Sequence, residues 1–363
     1  MRPNGLSRRQ QAGFSLVELM VGVTIAIIAG LVIVQVMSVF EAQRRSTTGT
    51  ADAQTNGGIA LYSIARDLQM AGFGLVPVTN SPLECTTPPT VNAGATGITG
   101  LAPIAVTDGT ASAGVDASDQ ITIRYASTQM AGIPTSITNT VGGNPVIVSS
   151  NLGCAANDIA LAISSNGTTC TLSKATAVSA GGASPITVTL QDPTNFVPGA
   201  NLACLGNWTE VTYYVKQPDM NLYRKVVTNG TTVSDAPTVV GVVNLQVQYG
   251  ISNTTNNNQV ASWVDPSGAT WAAPSVSNRN RIKAIRIAVI ARNANKEQSV
   301  VAAACSSTTA ANPAGVCAWP GSVASPAPTV DLSQGDVDWA KYRYRVFDTI
   351  VPVRNVIWAK DTL

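Results

Sequence analysis

The chain has 363 residues, of which 45 per cent are hydrophobic and only 12 per cent charged, with a formal net charge of +2. That length allows one large domain or two smaller ones and is ample for a packed core. So few charges exclude a disordered, solvated chain, and the near-neutral balance argues against a general polyanion binder.

The first element is a run from Phe14 to Phe40 that carries a single charge, Glu18, and few polar groups. It exceeds the roughly 20 residues a helix needs to span a bilayer. Arg2, Arg8 and Arg9 precede it and favour a cytoplasmic N-terminus, although Arg44 and Arg45 follow it. No A-x-A cleavage site lies near Phe40, as an ordinary secretory signal would require. The small residue at a border is Gly13, ahead of the apolar run. Cutting there would remove the three arginines, leave a charge of −1, and keep the apolar helix. It would also create an α-amino group at Phe14, about one helical turn from Glu18. A charged residue at the centre of a membrane helix costs roughly 2.5–3.5 kcal/mol, so the carboxylate needs a partner cation.

The stretch "RRQQAGFSLVELMVG" resembles the class III signal of type IV pilins and type II secretion pseudopilins. The resemblance implies that a prepilin peptidase cuts after Gly13 and methylates the new N-terminus, Phe14. It implies that Glu18 pairs with a neighbouring subunit's terminal amine during filament assembly. That pairing supplies the missing cation.

Beyond the apolar run the helix is expected to continue to about residue 76. Leu61, Ile64, Ala65 and Leu68 share one apolar face, while Arg66, Asp67 and Gln69 fall largely off it. Gly57 and Gly58 are expected to loosen the helix, and Gly72, Gly74 and Pro77 to end it. From Cys85 to Cys204 charges are sparse and Ser, Thr, Gly, Ala and Asn dominate. Short apolar runs ("QITIRYAS", "PVIVSS", "DIALAIS", "PITVTL") read as strands between turns, with a partly mobile polar insertion as the alternative.

The last third is more regular. "TEVTYYVKQPDMNLYRKVV" predicts a hairpin joined through Pro218 and Asp219. "VVGVVNLQVQYGIS" alternates Val243, Leu245, Val247 and Tyr249 against Asn244, Gln246 and Gln248. "RIKAIRIAVIARN" and "YRYRVFDTIVPVRNVIW" give two further strands, the second interrupted by Pro352. Period-2 alternation with polar partners predicts antiparallel strands with one covered face, the long helix being the cover.

These later segments, with "ARDLQMAGFG" after the helix, resemble the PilW family of minor pilins. The fold class expected is α+β: a long N-terminal helix, membrane-spanning in its first half, packed on an antiparallel sheet, with a large β-rich insertion. The expected divisions are a cleaved leader (1–13), a transmembrane helix (14–40), its soluble continuation (41–76), a β-rich polar insertion (77–205) and the sheet region (206–363). The resemblance implies a minor pilin that joins other minor pilins to prime assembly and sits at or near the pilus tip, supporting twitching motility and adhesion. It implies prepilin peptidase, pilus subunits and a tip adhesin as partners, and an inner-membrane location followed by the pilus fibre. A J-type pseudopilin of type II secretion shares the general plan. A tip module that contacts a surface or DNA is the other alternative.

Catalytic chemistry is not expected. The absence of histidine removes Ser-His-Asp, Cys-His and histidine-ligated metal sites, and no phosphate- or dinucleotide-binding fingerprint occurs. The acidic stretches "DGTASAGVDASD" and "QGDVDW" lack EF-hand spacing and read as turns, so neither metal nor cofactor is expected. Arg279, Arg281, Lys283, Arg286 and Arg292 gather in one stretch; their alternation predicts the solvated face of a strand rather than a nucleic-acid site. The six cysteines, Cys85, Cys154, Cys170, Cys204, Cys305 and Cys317, all follow the membrane helix, on the side where disulfides persist. Fifteen connectivities are possible. Short loops favour Cys154–Cys170 and Cys305–Cys317, leaving Cys85 with Cys204.

Overall fold

The computed structural model describes residues 13, 15–75, 89–110, 116–128, 133–151, 153–167, 169–217, 219–306, 311–312, 315–320 and 330–357. The chain forms two units, residues 1–49 and 50–363. A single helix, α1 (Leu16–Leu68), begins in the first and ends in the second.

In the first unit α1 is long and apolar enough to cross a membrane, and Leu16 to Phe40 present their apolar side chains outward. The hydroxyls of Thr24 and Ser38 turn back onto helix carbonyls three or four residues earlier. Both hydroxyls are thereby satisfied within the helix, as an apolar surrounding demands.

In the second unit the strands follow in chain order. They are β1 (Thr90–Val91), β2 (Ile104–Thr107), β3 (Gln120–Ala126), β4 (Thr135–Thr140), β5 (Val146–Val148) and β6 (Ile159–Ile163). Next come β7 (Cys170–Val178), β8 (Thr187–Leu190), β9 (Asn201–Cys204), β10 (Trp208–Lys216), β11 (Asn221–Thr228) and β12 (Thr231–Val240). β13 (Val242–Ile251) and β14 (Ser262–Val264) precede the short helices α2 (Gly268–Trp271) and α3 (Val276–Arg281). β15 (Ile282–Arg292), the small pair β16 (Cys305–Ser306) and β17 (Ala311–Asn312), β18 (Tyr344–Pro352) and α4 (Arg354–Ile357) complete the order.

Three sheets carry the unit. An antiparallel five-stranded sheet runs β12-β11-β10-β3-β2, and a four-stranded one β14-β13-β15-β18. Ala60, Ile64 and Leu68 of α1 share one core with Ile121, Ile123, Val211 and Tyr213 of the first sheet and Leu245, Val247, Ile285 and Ile287 of the second. The expected apolar face of α1 therefore covers two sheets at once. β10 and β11 form the expected hairpin in an unbroken register, Thr209 opposite Thr228 to Lys216 opposite Asn221; Pro218 lies outside the described residues.

The third sheet closes on itself. Its order β7-β6-β9-β4-β5-β8 returns to β7, every pairing being antiparallel, with β1 added parallel to β7. A closed barrel has no edge to protect. Ala160, Ala162, Val188 and Leu202 line one face, with Phe196 and Cys204 in the same core. Ile159, Leu161 and Ile163, on the other face of β6, pack instead with Leu75, Leu101 and Trp208. Strands β4 to β9 of the 77–205 stretch thus form a cored barrel, not a mobile polar insertion. It is also not closed off at residue 205, because β2 and β3 join β10 in the five-stranded sheet.

Two expectations need correction. β13 is buried along its whole length, including Asn244, Gln246 and Gln248, so both of its faces are covered. A register shift between Val242 and Asn244 also turns Val243 away from Leu245 and Val247 into a separate core with Ala288, Ile290 and Trp319. The second concerns Gly57 and Gly58, which do not interrupt α1. A methyl group on Gly57 would overlap the Phe347 ring and lie 3.2 Å from Cβ of Ala291, whereas Gly58 faces open space. Gly57 is therefore the point where β15 and β18 approach the helix backbone. The two glycines should respond oppositely to alanine. Gly58→Ala should stabilise by up to about 1 kcal/mol through helix propensity. Gly57→Ala should destabilise by about 1–2 kcal/mol, overpacking outweighing the same gain. Thermal melts of the two variants in detergent check the pair; a stabilised Gly57→Ala would remove the close-approach explanation.

Candidate assembly site

α1 starts at Leu16, directly after Ser15, and the Glu18 amide N–H donates to Ser15 Oγ at 3.4 Å. Ser15 therefore stands at the N-cap and Glu18 three residues in, the spacing of a capping box. An acidic group in the first turn also faces the positive end of the helix dipole. Glu18 thus has a local role that reading it only as half of an ion pair overlooked; S-x-x-E ahead of an apolar run was the available signal. Gly13 is exposed, with open space around its α-carbon. Phe14 lies outside the described residues. Glu18 is exposed on the helix.

The C-terminal half of α1 is held by a polar latch. Asp67 Oδ2 accepts from the Tyr213 hydroxyl at 2.8 Å and from Nε of Arg224 at 2.9 Å, with Nη2 of Arg224 also at 2.8 Å. Arg224 Nε lies 3.0 Å from the Tyr213 oxygen, and that hydroxyl lies 3.3 Å from the Ser63 carbonyl. Burial and the adjacent Asp67 push the Tyr213 phenol well up from its ordinary value, so it remains a donor. One helix and two strands, β10 and β11, meet in these contacts. Ile59 and Tyr62 on the helix, and Met70 and Phe73 in the turn just after it, remain exposed.

The basic stretch does not form a patch. Arg279 and Arg281 lie in α3, not on a strand, and Lys283 is 2% exposed with Nζ donating to the carbonyls of Thr255 and Asn280. Arg286 stacks on Trp319 with its guanidinium carbon 4.4 Å from the ring centre, and Arg292 pairs with Asp336 at 3.2 Å. Short helix α3 breaks the alternation that predicted a solvated face, and the cations go to separate partners. The two acidic stretches do meet: Asp116 Oδ1 accepts from the Gly335 amide at 2.7 Å. Among the described residues no group of three or more Cys, Asp or Glu could hold a metal ion.

The cysteines depart from the short-loop expectation at one bridge. Cys305 pairs with Cys317, but Cys154 pairs with Cys204 rather than Cys170. The reason is sheet geometry. Cys154 and Cys204 share the barrel core, while Cys170 points to the opposite side with Leu161 and Trp208. Cys204 therefore is not left for Cys85. Cys170 is itself disulfide-bonded, and Cys85 lies outside the described residues.

Residues 212–355 match the family model of the type IV pilus-assembly protein W, PilW, and residues 8–34 match the prokaryotic N-terminal methylation motif. The chain carries a PilW domain behind a prepilin-type methylation signal. No curated protein and no solved structure matches it. The PilW match runs from within β10 to α4 and includes β11 to β15 and β18. It covers the hairpin and the whole four-stranded sheet, and leaves the barrel, β2 and β3 outside. The methylation motif spans Gly13, Ser15 and Glu18 and the first part of α1. Together they support a type IV pilus-related pilin, and the signal with its apolar helix fits an inner-membrane anchor and incorporation into the pilus.

Proposed function

We propose that this pilin is a minor subunit that primes pilus assembly with other minor pilins and lies at or near the tip, serving twitching motility and adhesion. The observation that carries the reading is the pairing of a methylation signal with a PilW domain. Size supports the minor role. A compact body of residues 50–363 has a radius of gyration of roughly 20 Å, whereas packed helices lie about 8–10 Å apart. Repeating such a body at every position of a shaft would crowd its neighbours. The barrel outside the family match is what a tip module would present to a surface or an adhesin. The exposed Ile59, Tyr62, Met70 and Phe73 suit packing against other pilus subunits. Residues 1–13 are the leader in this reading, Phe14 is the methylated terminus released by prepilin peptidase, and Glu18 pairs with a neighbour's amine.

The test uses Gly13 and Glu18. A bulky residue at Gly13 should block processing. Glu18→Gln keeps the capping-box geometry but removes the charge, so it should leave cleavage intact and lower recovery in sheared pili at least tenfold. Glu18→Ala keeps the amide that donates to Ser15 Oγ and removes the same charge, so it should do no better. Normal incorporation of Glu18→Gln would show that helix capping, not ion pairing, keeps the carboxylate. Labelled chain along the whole shaft at major-pilin abundance would exclude the tip-biased role.

A further inference from the structure

The second unit holds a cavity of about 350 Å³, within the roughly 300–1,000 Å³ of ligand-binding cavities. Residues 99–102 ahead of β2, Pro274 and Arg279 from the segment after α2, Arg124 of β3 and Tyr249 of β13 form much of its wall. The wall residues from 89 to 124 fall outside the PilW match and those from 249 to 279 inside it. The cavity therefore exists only where these two parts of the chain meet.

The buried polar groups of this wall have donors to spare. Arg124 is 6% exposed. Its Nη1 donates to the Ala102 carbonyl at 3.0 Å and its Nη2 to Thr99 Oγ1 at 2.8 Å, while Nε lies 3.3 Å from Glu210 Oε2 without hydrogen-bond alignment. A guanidinium carries five N–H donors. Those three contacts leave at least two with no acceptor among the described residues. Tyr249 is 1% exposed, and its hydroxyl accepts from the Val106 amide at 3.0 Å. The hydroxyl proton itself has no acceptor among the described residues. Buried donors without acceptors are unfavourable, and a ligand that only accepts removes that penalty. Arg279 brings a second cation to the wall. Burial and the neighbouring Arg124 both push its guanidinium down from the ordinary value, so a negative charge in the cavity favours both arginines.

Glu210 narrows the choice of anion. It is 4% exposed and accepts from the amide and hydroxyl of Thr99 and from the Trp208 indole N–H. Its charge already offsets that of Arg124 and opposes a dianion at the same place. A carboxylate carries one charge, offers two oxygens to the N–H donors of a guanidinium and has no donor of its own. Leu101, Ile104 and Pro274 give the wall an apolar part as well. We propose that this cavity binds a monocarboxylate with a small apolar body, its oxygens on Arg124 and Arg279 and its body against Leu101, Ile104 and Pro274.

Titration calorimetry of the full chain in detergent tests the site with benzoate and benzamide, which match in shape and differ in charge. Benzoate should bind saturably, at least tenfold more tightly than benzamide and more tightly than inorganic phosphate. Arg279→Gln should weaken benzoate at least fivefold and leave benzamide unchanged. Tyr249→Phe should weaken benzoate at least twofold, and it keeps the test decisive if Arg279→Gln does not fold. N-acetyl-leucine and its amide separate two sources of the carboxylate. Tighter binding of N-acetyl-leucine than of benzoate would assign a polypeptide C-terminus, and the reverse a small free acid. Equal affinity for benzoate and benzamide, preference for phosphate, no saturable binding of either acid, or unaltered benzoate affinity in the folded variants would each overturn the proposal.

Discussion

Asp67→Ala should lower the stability of the chain by about 2–3 kcal/mol, more than most surface substitutions on α1. The Arg224 side chain is 32% exposed and that of Asp67 17%. Losing one partner of a buried ion pair costs about 3–5 kcal/mol, and partial exposure of the arginine reduces that figure. The cost comes from what is left behind. Arg224 keeps its place beside Tyr213 without a counter-charge, and the Tyr213 hydroxyl, still accepting from Arg224, is left to donate over the longer 3.3 Å contact to the Ser63 carbonyl. Arg224→Ala should cost less, because Asp67 then keeps the tyrosine hydrogen bond. The double variant should be less destabilised than the sum of the singles by at least 1 kcal/mol, the mark of a direct interaction. Chemical denaturation of the four proteins in one detergent checks this. Strict additivity would mean that Asp67 and Arg224 act separately and that apolar contacts of Ile64 and Leu68 alone hold the helix. Because these groups fix α1 against β10 and β11, the same variants should weaken incorporation into pili only if helix placement within the body matters for assembly.

What the chain discloses by itself depends on how locally each feature is encoded. The methylation motif is contiguous, with Gly13, Ser15 and Glu18 ahead of or within one apolar run, so it is readable from a short window. The helix and most strands follow from period 3.6 and period 2 over short windows. The cover on β13 does not, because Ala117, Ser118 and Asp119 come from more than a hundred residues away. Asn244 and Gln246 read as solvent-facing when their partner is a distant carbonyl. Gly57 reads as a weak point of the helix until Phe347 is placed on it. Barrel closure is equally invisible, since the β7–β8 pairing that completes the ring depends on register and curvature rather than on composition. In the basic stretch a strand does begin at Ile282, but Arg279 and Arg281 lie in α3 and both faces of β15 are covered, so no solvated basic face forms.

Breaking the Cys154–Cys204 bridge should destabilise the chain more than breaking Cys305–Cys317. The first closes a separation of 50 residues and the second one of 12. Loop-closure entropy assigns these about 4 and about 3 kcal/mol respectively. Placement widens the difference. Cys204 ends β9, opposite Ala160 of β6, so the bridge fastens the segment entering β6 to the strand beside it in the barrel wall. Cys305–Cys317 fastens only the segment that holds the short β16–β17 pair. Cys154→Ser with Cys204→Ser should therefore lower the melting temperature of the barrel, and Cys305→Ser with Cys317→Ser should loosen mainly residues 300–320. Peptide mapping of the oxidised chain should recover Cys154 linked to Cys204, and thiol titration of the native protein should find no free cysteine. A peptide joining Cys154 to Cys170 would contradict the facing of β7, because those two side chains enter different cores on opposite sides of the barrel wall.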